Sequence, residues 1–596
     1  MWCGAIASSA VWAAAGAIAA EAKTAPVGSK PAISSPRFQK QVPPAPPTVP
    51  PQPDPNDRFP TDPERPDPEP LEPDEEDVID SDEETTPDAP TEETETQFFV
   101  SEIEVRGSTI LSEADIAELV GSYENRQVTL SDLREAADQI TQEYLNRDYI
   151  TSRAILPDQT IAEDGIVIIQ VIEGSLQQID IEGTNRVNDS YVRSRIELGA
   201  GQPLNTSSLE DQLRLLRADP LFESVEASLR AGDNLGQSIL IVRVTEAPPF
   251  RANISLDNYS PASVGSERLG ANLRYRNLTG IGDDIFASYT FTDENGSDSY
   301  DLSYRVPVNP MNGTLQLRFA PNRNEIIQDP FDEFGIRGET DLYEVNFRQP
   351  LVRSPRREFA LSLGFAHQDS QTFTDEGPTP FGIGPDEDGI SRTSVLRFGQ
   401  DYVARDVRGA WAFRSQFNVG TGLFDATEND GGDIPDGQFF SWLAQAQRVQ
   451  RLGEDHLLIV QFDAQLTPDP LLPSQQFVIG GGQSLRGYRQ NARSGDNGYR
   501  FSVEDRITLD RDAAGIPRLQ VAPFIDLGGA WNVQDNPNPE SDQQFLIGVG
   551  VGLFYEPLPG LRIRLDYGLP LVDLDDRGDN LQDDGIYFSI GYGLQF

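Results

Sequence analysis

Beyond Pro249, apolar side chains recur at every second position. Phe545, Ile547, Val549, Val551, Leu553 and Tyr555 share one face of a segment whose other face carries Gly548, Gly550 and Gly552. The chain ends on a row just as regular: Ile586, Phe588, Ile590, Tyr592, Leu594 and Phe596. Successive side chains of a strand point to opposite faces, so each row predicts a strand with an apolar outside and a small or polar inside. A soluble sandwich alternates in the same way, and the connections decide between the two. Tight turns at Thr279–Asp283, Ser354–Arg357, Asp512–Ile516 and Pro557–Gly560 alternate with long segments at 321–337, 370–390, 421–438, 467–497, 530–542 and 570–584. Short turns on one rim and long loops on the other predict a transmembrane antiparallel β-barrel of about 16 strands over residues 248–596.

Upstream the period changes to that of helices, and a motif repeats. Ile103-Glu104-Val105-Arg106-Gly107 returns as Ile179-Asp180-Ile181-Glu182-Gly183. Each copy precedes two helices, Ser112–Val120 and Ser131–Leu145, then Asn188–Leu198 and Ser208–Leu216. Ser112 and Asp115 form a capping box, and Leu133, Ala137, Ile140 and Tyr144 make one stripe. In the second copy Leu209, Leu213 and Leu216 do the same. Two strands close each unit, Arg153–Leu156 with Ile166–Ile172 and Phe222–Leu229 with Ile239–Val244. The order β-α-α-β-β, twice, predicts two small α+β domains over residues 97–174 and 175–247, with exposed sheet edges.

The first 96 residues follow neither period. The alanine-rich run Ala5–Ala20 is short for a membrane span and ends in small residues, which reads as a secretory signal over 1–22. Residues 23–96 are proline and acid, from Pro43-Pro44-Ala45-Pro46-Pro47 to Asp82-Glu83-Glu84. Such a composition buries too little apolar surface to offset ordering entropy, so a disordered, self-repelling linker is expected. Composition then narrows the chemistry. A net charge of −49 and a pI near 4.2 argue against nucleic acid as a general partner. Cys3 is the only cysteine, imidazole is limited to His367 and His456, and no lysine follows Lys40. Disulfide frameworks, thiolate metal sites, Walker loops and Schiff-base lysines are excluded from the folded part. No catalysis, cofactor or metal is expected.

One stretch of candidate chemistry stands out. The run Gly480-Gly481-Gly482-Gln483-Ser484-Leu485-Arg486-Gly487-Tyr488 lies inside the long segment 467–497, between the eleventh and twelfth expected strands. On the strand from Arg518, Val521, Ile525 and Leu527 face outward, which turns Phe524, Asp526 and Gly528 into the lumen. On the preceding strand Tyr499, Phe501 and Val503 face outward and Glu504 inward. The expectation is that the loop folds back into the barrel and that Arg486 pairs with Asp526. Arginine suits this role because its planar fork bonds a carboxylate bidentately. With water in the lumen, the pairing is expected at the low end of roughly 1.5–3 kcal/mol.

The two repeats resemble POTRA domains. The first, with Asp148-Tyr149-Ile150-Thr151-Ser152-Arg153-Ala154-Ile155-Leu156-Pro157-Asp158-Gln159, Asp164-Gly165 and Val171-Ile172-Glu173-Gly174, looks like the first POTRA domain of two-partner secretion transporters. Leu485-Arg486-Gly487-Tyr488 is similar to the superfamily's Val-Arg-Gly-Tyr/Phe loop motif, with leucine for valine, and Phe524-x-Asp526-x-Gly528 to its wall partner. The resemblance covers Phe98 to Phe596. It implies an outer-membrane transporter with periplasmic POTRA domains and porin-like conductance. A partner exoprotein would bind on residues 97–247 and be secreted through the barrel. It assigns Arg486 to the loop tip, Asp526 to the wall, and Glu504 as a second acid. The terminal row Tyr592, Leu594 and Phe596 looks like the signal that the barrel assembly machinery reads during insertion into outer-membrane lipid. These transporters often carry an N-terminal plug helix, which the proline-rich 26–96 does not predict. The alternative reading is a β-barrel assembly or insertion factor.

Overall fold

Capping boxes start both helices of the first repeat. Ser112 Oγ accepts the Asp115 N–H at 3.2 Å while Asp115 accepts the Ser112 N–H at 2.9 Å, opening α1 (Glu113–Val120). Thr129 and Asp132 make the same reciprocal pair, so α2 (Leu130–Asn146) begins ahead of the expected Ser131. The expected stripe Leu133, Ala137, Ile140 and Tyr144 is buried in the domain core. The second repeat supplies α3 (Asp189–Glu197) and α4 (Thr206–Arg217), the latter burying Leu209, Leu213 and Leu216. The computed structural model describes Ile79–Ser81 and residues 97–596, apart from 162–163, 294, 329–330, 539–542 and 576. The expected signal, and the expected linker and plug region save for Ile79–Ser81, lie outside the described residues.

Nine described strands precede the barrel: β1 (Ile79–Ser81), β2 (Phe98–Val100), β3 (Glu102–Arg106), β4 (Arg126–Val128), β5 (Arg153–Ile155), β6 (Ile166–Ile172), β7 (Ser175–Glu182), β8 (Phe222–Ala231) and β9 (Gln237–Glu246). The two repeats share one topology. In the first the order is β3-β6-β5, in the second β7-β9-β8, each with a parallel then an antiparallel pair about its central strand. Two pairings go beyond the expected pattern. Strands β2 and β4 form a small ribbon, and β1, inside the expected linker, pairs in parallel with β8. Three residues are too few for a periodicity to register, which is why neither was predicted.

A glutamate closes each repeat. Glu173 accepts from the Thr109 N–H at 2.6 Å and from the Tyr144 hydroxyl at 2.7 Å. At the matching place Glu246 accepts the N–H groups of Asn185, Arg186 and Val187 at 2.7, 2.9 and 2.9 Å and meets the Arg186 guanidinium at 3.2 Å. Burial raises the Glu246 carboxyl, yet these donors outweigh it and hold it below the usual carboxylate range. Glu246→Ala should therefore free three backbone donors. Their amide exchange in the full chain is expected to accelerate at least tenfold, and unchanged protection would show the clasp to be idle.

The barrel closes with 16 strands in antiparallel order. Its first strand, Phe250–Asp257, pairs with its last, Ile586–Gln595, from Arg251↔Gln595 to Asp257↔Ser589. Phe250 and Phe596 add two backbone bonds at 3.3 and 3.0 Å. The fifth, sixth and seventh strands (Thr314–Glu325, Arg337–Arg353, Arg357–Thr374) run into the stretches expected as loops. Their ladders continue through polar pairs such as Thr340 with Ser370, because backbone pairing outlasts the apolar band. On the short-turn rim the Asn188 N–H of the second domain bonds the Gly280 carbonyl at 2.8 Å. Gly282 beside it has φ 83°, and a Cβ there would sit 2.5 Å from the Tyr191 ring.

On the last strand Ile590, Leu594 and Phe596 are exposed on the outer face, in one row with Tyr592, whereas Tyr587 is fully buried. An aspartate at Tyr592 would place a charge in the lipid-facing band, and deleting Phe596 removes both terminal backbone bonds. Each change should reduce the heat-modifiable, folded fraction in the membrane. Unchanged gel mobility shifts would contradict this orientation of the strand.

Candidate functional site

Between the eleventh strand (His456–Leu466) and the twelfth (Asn497–Arg511), the loop forms its own two-stranded ribbon, Phe477–Ile479 with Arg493–Gly495. Phe477, Ile479, Leu485 and Tyr488 pack against Ala530, Leu546 and Leu574, so the loop has a core that it shares with the wall. Its glycines make the turn possible. Gly480, Gly481 and Gly487 have φ of 115°, 102° and 104°, where a side chain would be strained.

At the tip Arg486 is buried, and so are the acids around it. Its Nε and Nη2 donate to Asp526 Oδ2 and Oδ1 at 2.7 and 2.9 Å, and its backbone N–H adds a third bond at 3.1 Å. Nη1 donates to Glu504 Oε2 at 2.5 Å and lies 3.7 Å from Asp566 Oδ1. The guanidinium stacks 3.4 Å over the Phe524 ring. Ser502 Oγ donates to Asp526 at 2.6 Å, Arg506 holds Glu504 at 2.7 Å, and Arg564 holds Asp566 at 2.5 Å. Three arginines thus face three carboxylates, and the charge of the cluster balances, with Arg506 and Arg564 reaching the buried acids from its part-exposed side.

The alternation of the thirteenth strand (Pro517–Trp531) places Phe524, Asp526 and Gly528 inward, and Gly528 leaves room for Leu485. Glu504 is in direct contact with Arg486, as close as Asp526. The watery surroundings expected for Arg486–Asp526 are not found: Arg486 is 4% and Asp526 0% exposed, because loop and wall exclude solvent together.

Several participants were not foreseen. On the fourteenth (Phe545–Leu558) and fifteenth (Leu561–Pro570) strands, Gly548 and Gly568 form a trough in which the backbone of Arg486 and Gly487 lies. A Cβ at Gly548 would come within 1.9 Å of the Arg486 carbonyl oxygen, and one at Gly568 within 2.5 Å of the Gly487 nitrogen. Tyr587 on the last strand accepts the Gly487 N–H at 2.9 Å and donates to the Tyr488 carbonyl at 2.6 Å. The Tyr488 hydroxyl sits between the Ile547 and Val572 carbonyls at 2.8 and 3.0 Å. Gln582 accepts the Gln490 N–H at 3.0 Å and bonds the Asn258 and Ser260 carbonyls at 2.7 Å each. Inward alternation was the available signal for Asp566, Arg564 and Tyr587; the loop's path across them was not in any pattern.

Comparison with known proteins gives consistent matches. Residues 236–555 match the family described as haemolysin secretion/activation protein ShlB/FhaC/HecB. Residues 98–174 match a POTRA domain of ShlB type, and 175–247 match POTRA, surface antigen variable number repeat. The outer membrane transporter CdiB of Escherichia coli is 26% identical over 467 residues, 76% of each chain. The heme/hemopexin transporter protein HuxB of Haemophilus influenzae strain 86-028NP is 24% identical over 481 residues, 78% of this chain and 82% of its own. The solved structure of CdiB from Escherichia coli is similar in fold, with a TM-score of 0.66 at 24% identity over 85% of this chain and 93% of that one.

Proposed function

We propose, from the premise that the chain belongs to the haemolysin secretion/activation family ShlB/FhaC/HecB, that the loop carrying Arg486 is the moving part of a protein exporter. The chain is an outer-membrane transporter of the two-partner secretion type, its barrel in the outer membrane and its POTRA domains in the periplasm. Its cargo is an exoprotein that arrives extended, is recognised on the POTRA pair within residues 97–247, and threads the barrel. The outer apolar face meets lipid, and the row ending at Phe596 is what the barrel assembly machinery reads. Threading and folding outside need no bond chemistry, so the reading assigns no enzymatic activity.

One observation carries the moving loop. Its ribbon is paired only with itself, outside the barrel ladder, so it can leave as a unit without breaking a strand-to-strand hydrogen bond of the wall. What holds it is side-chain pairing and close backbone approach. An insertion factor would instead need a free edge at the seam, and here the first strand is paired on both sides along its length, which favours export through the lumen.

A tether tests this. With Gln490→Cys and Gln582→Cys bridged by a short bifunctional thiol reagent, the loop stays on the wall. Exoprotein in the medium is expected to fall at least tenfold against the unbridged variant. Secretion at the unbridged rate would mean that the loop is a fixed brace.

A further inference from the structure

Each of the four outer edges of the POTRA sheets carries a side-chain bond, and one is covered by backbone as well. On β3, Glu124 accepts the Ile103 N–H at 2.9 Å; on β5, Thr141 accepts the Ala154 N–H at 2.9 Å; on β7, Arg193 donates to the Ile179 carbonyl. Such bonds blunt an edge, because an arriving strand would have to displace them. The fourth edge differs. On β8, backbone covers backbone: Ile79 pairs with Ala227, Asp80 with Ser228 and Ser81 with Leu229, in parallel. Arg217 reaches the Val225 carbonyl at 3.4 Å, just outside the paired stretch. Ala227 and Leu229 are buried in the domain core, so this part of the edge is anchored and cannot fray.

The occupant is short and comes from the chain itself. Val78 and Ile79 are the two β-branched aliphatic residues between Asp74-Glu75-Glu76-Asp77 and Asp82-Glu83-Glu84. A three-residue strand flanked by acids pairs weakly with anything in solution. Here it is tethered: only residues 82–97 separate it from β2, and tethering raises its effective concentration at the edge. An extended chain that pairs over more residues can therefore displace it.

We infer that the β8 edge is the strand-binding site of the second POTRA domain, that Ile79–Ser81 guards it at rest, and that an extended segment of the exoprotein takes its place during secretion. This rests on the exporter reading above and adds to it the place, the parallel direction and the resident competitor. Recognition would come from main-chain bonds to β8, with side chains at alternate positions setting preference.

Two experiments on the full chain, with Cys3→Ser, decide it. In the first, Asp80→Cys and Ser228→Cys are bridged by oxidation or a short thiol reagent. Exoprotein secretion should fall at least tenfold and return on reduction or in the unbridged single variants. Wild-type secretion from the bridged protein, or failure of the pair to bridge, would overturn the inference. In the second, a peptide of residues 74–84 carrying cysteine at position 80 is offered in trans to Ser228→Cys protein in detergent. Capture should be at least tenfold faster when Ile79→Pro has weakened the resident strand, since proline cannot donate to the ladder. Equal capture would show that nothing guards the edge. If the unmodified transporter itself exports no exoprotein, the exporter reading fails, and the capture rates still decide what the edge binds.

Discussion

Replacing Arg486 with alanine should abolish most exoprotein secretion while leaving the barrel inserted and heat-modifiable. The side chain lies between the Phe524 ring and Asp526, with Glu504 bonded to its other nitrogen. Truncation leaves Asp526, fully buried, with the Ser502 hydroxyl and one backbone N–H. Breaking a buried pair from one side costs about 3–5 kcal/mol, more than the water-filled setting expected at the outset would give. Set against docking of the loop, that shifts the docking equilibrium by roughly two to three and a half orders of magnitude. The 16 paired strands are untouched. Asp526→Ala should fall in the same direction but less far, since Glu504 still holds Arg486. The double variant should be no worse than Arg486→Ala alone, because it leaves neither charge stranded. Secreted exoprotein, normalised to folded transporter, is the measurement. Losses that multiply would mean that the two residues act separately.

The second large effect needs no change of charge. Gly548→Ala puts a methyl group where the Arg486 carbonyl oxygen now sits, at 1.9 Å, and Gly568→Ala does so 2.5 Å from the Gly487 nitrogen. Both obstacles are backbone, so neither can rotate aside and the loop tip must lift. The ion pair cannot then keep its geometry, although every charged residue is still present. Secretion should drop about as far as for Arg486→Ala. Gly593→Ala is the control, since open space surrounds that position. If Gly548→Ala secretes as well as Gly593→Ala, the trough does not position the loop.

Much of this site could be read from the chain. Period-two alternation places Asp526 and Glu504 on one inner face, and a glycine run carrying one arginine and one tyrosine marks the loop, since both signals are local. Asp566, Tyr587, Gly548 and Gly568 were less legible. Each faces inward by the same alternation, but many inward residues line the lumen, and nothing local separates those under the loop from the rest.

The sequence by itself determined the barrel, the doubled α+β unit and the identity of the charged pair, because strand and helix periods and a short motif are properties of neighbouring residues. Only the tertiary structure decided which carboxylates share Arg486, how dry that cluster is, and that Ile79–Ser81 covers β8. Those outcomes depend on strand register and on the route of a folded-back loop, both set by packing between segments far apart in the chain. A three-residue pairing carries no periodic signal, alternation says of the two glycines only that they face inward, and the meaning of both exists only where another backbone comes to lie against them.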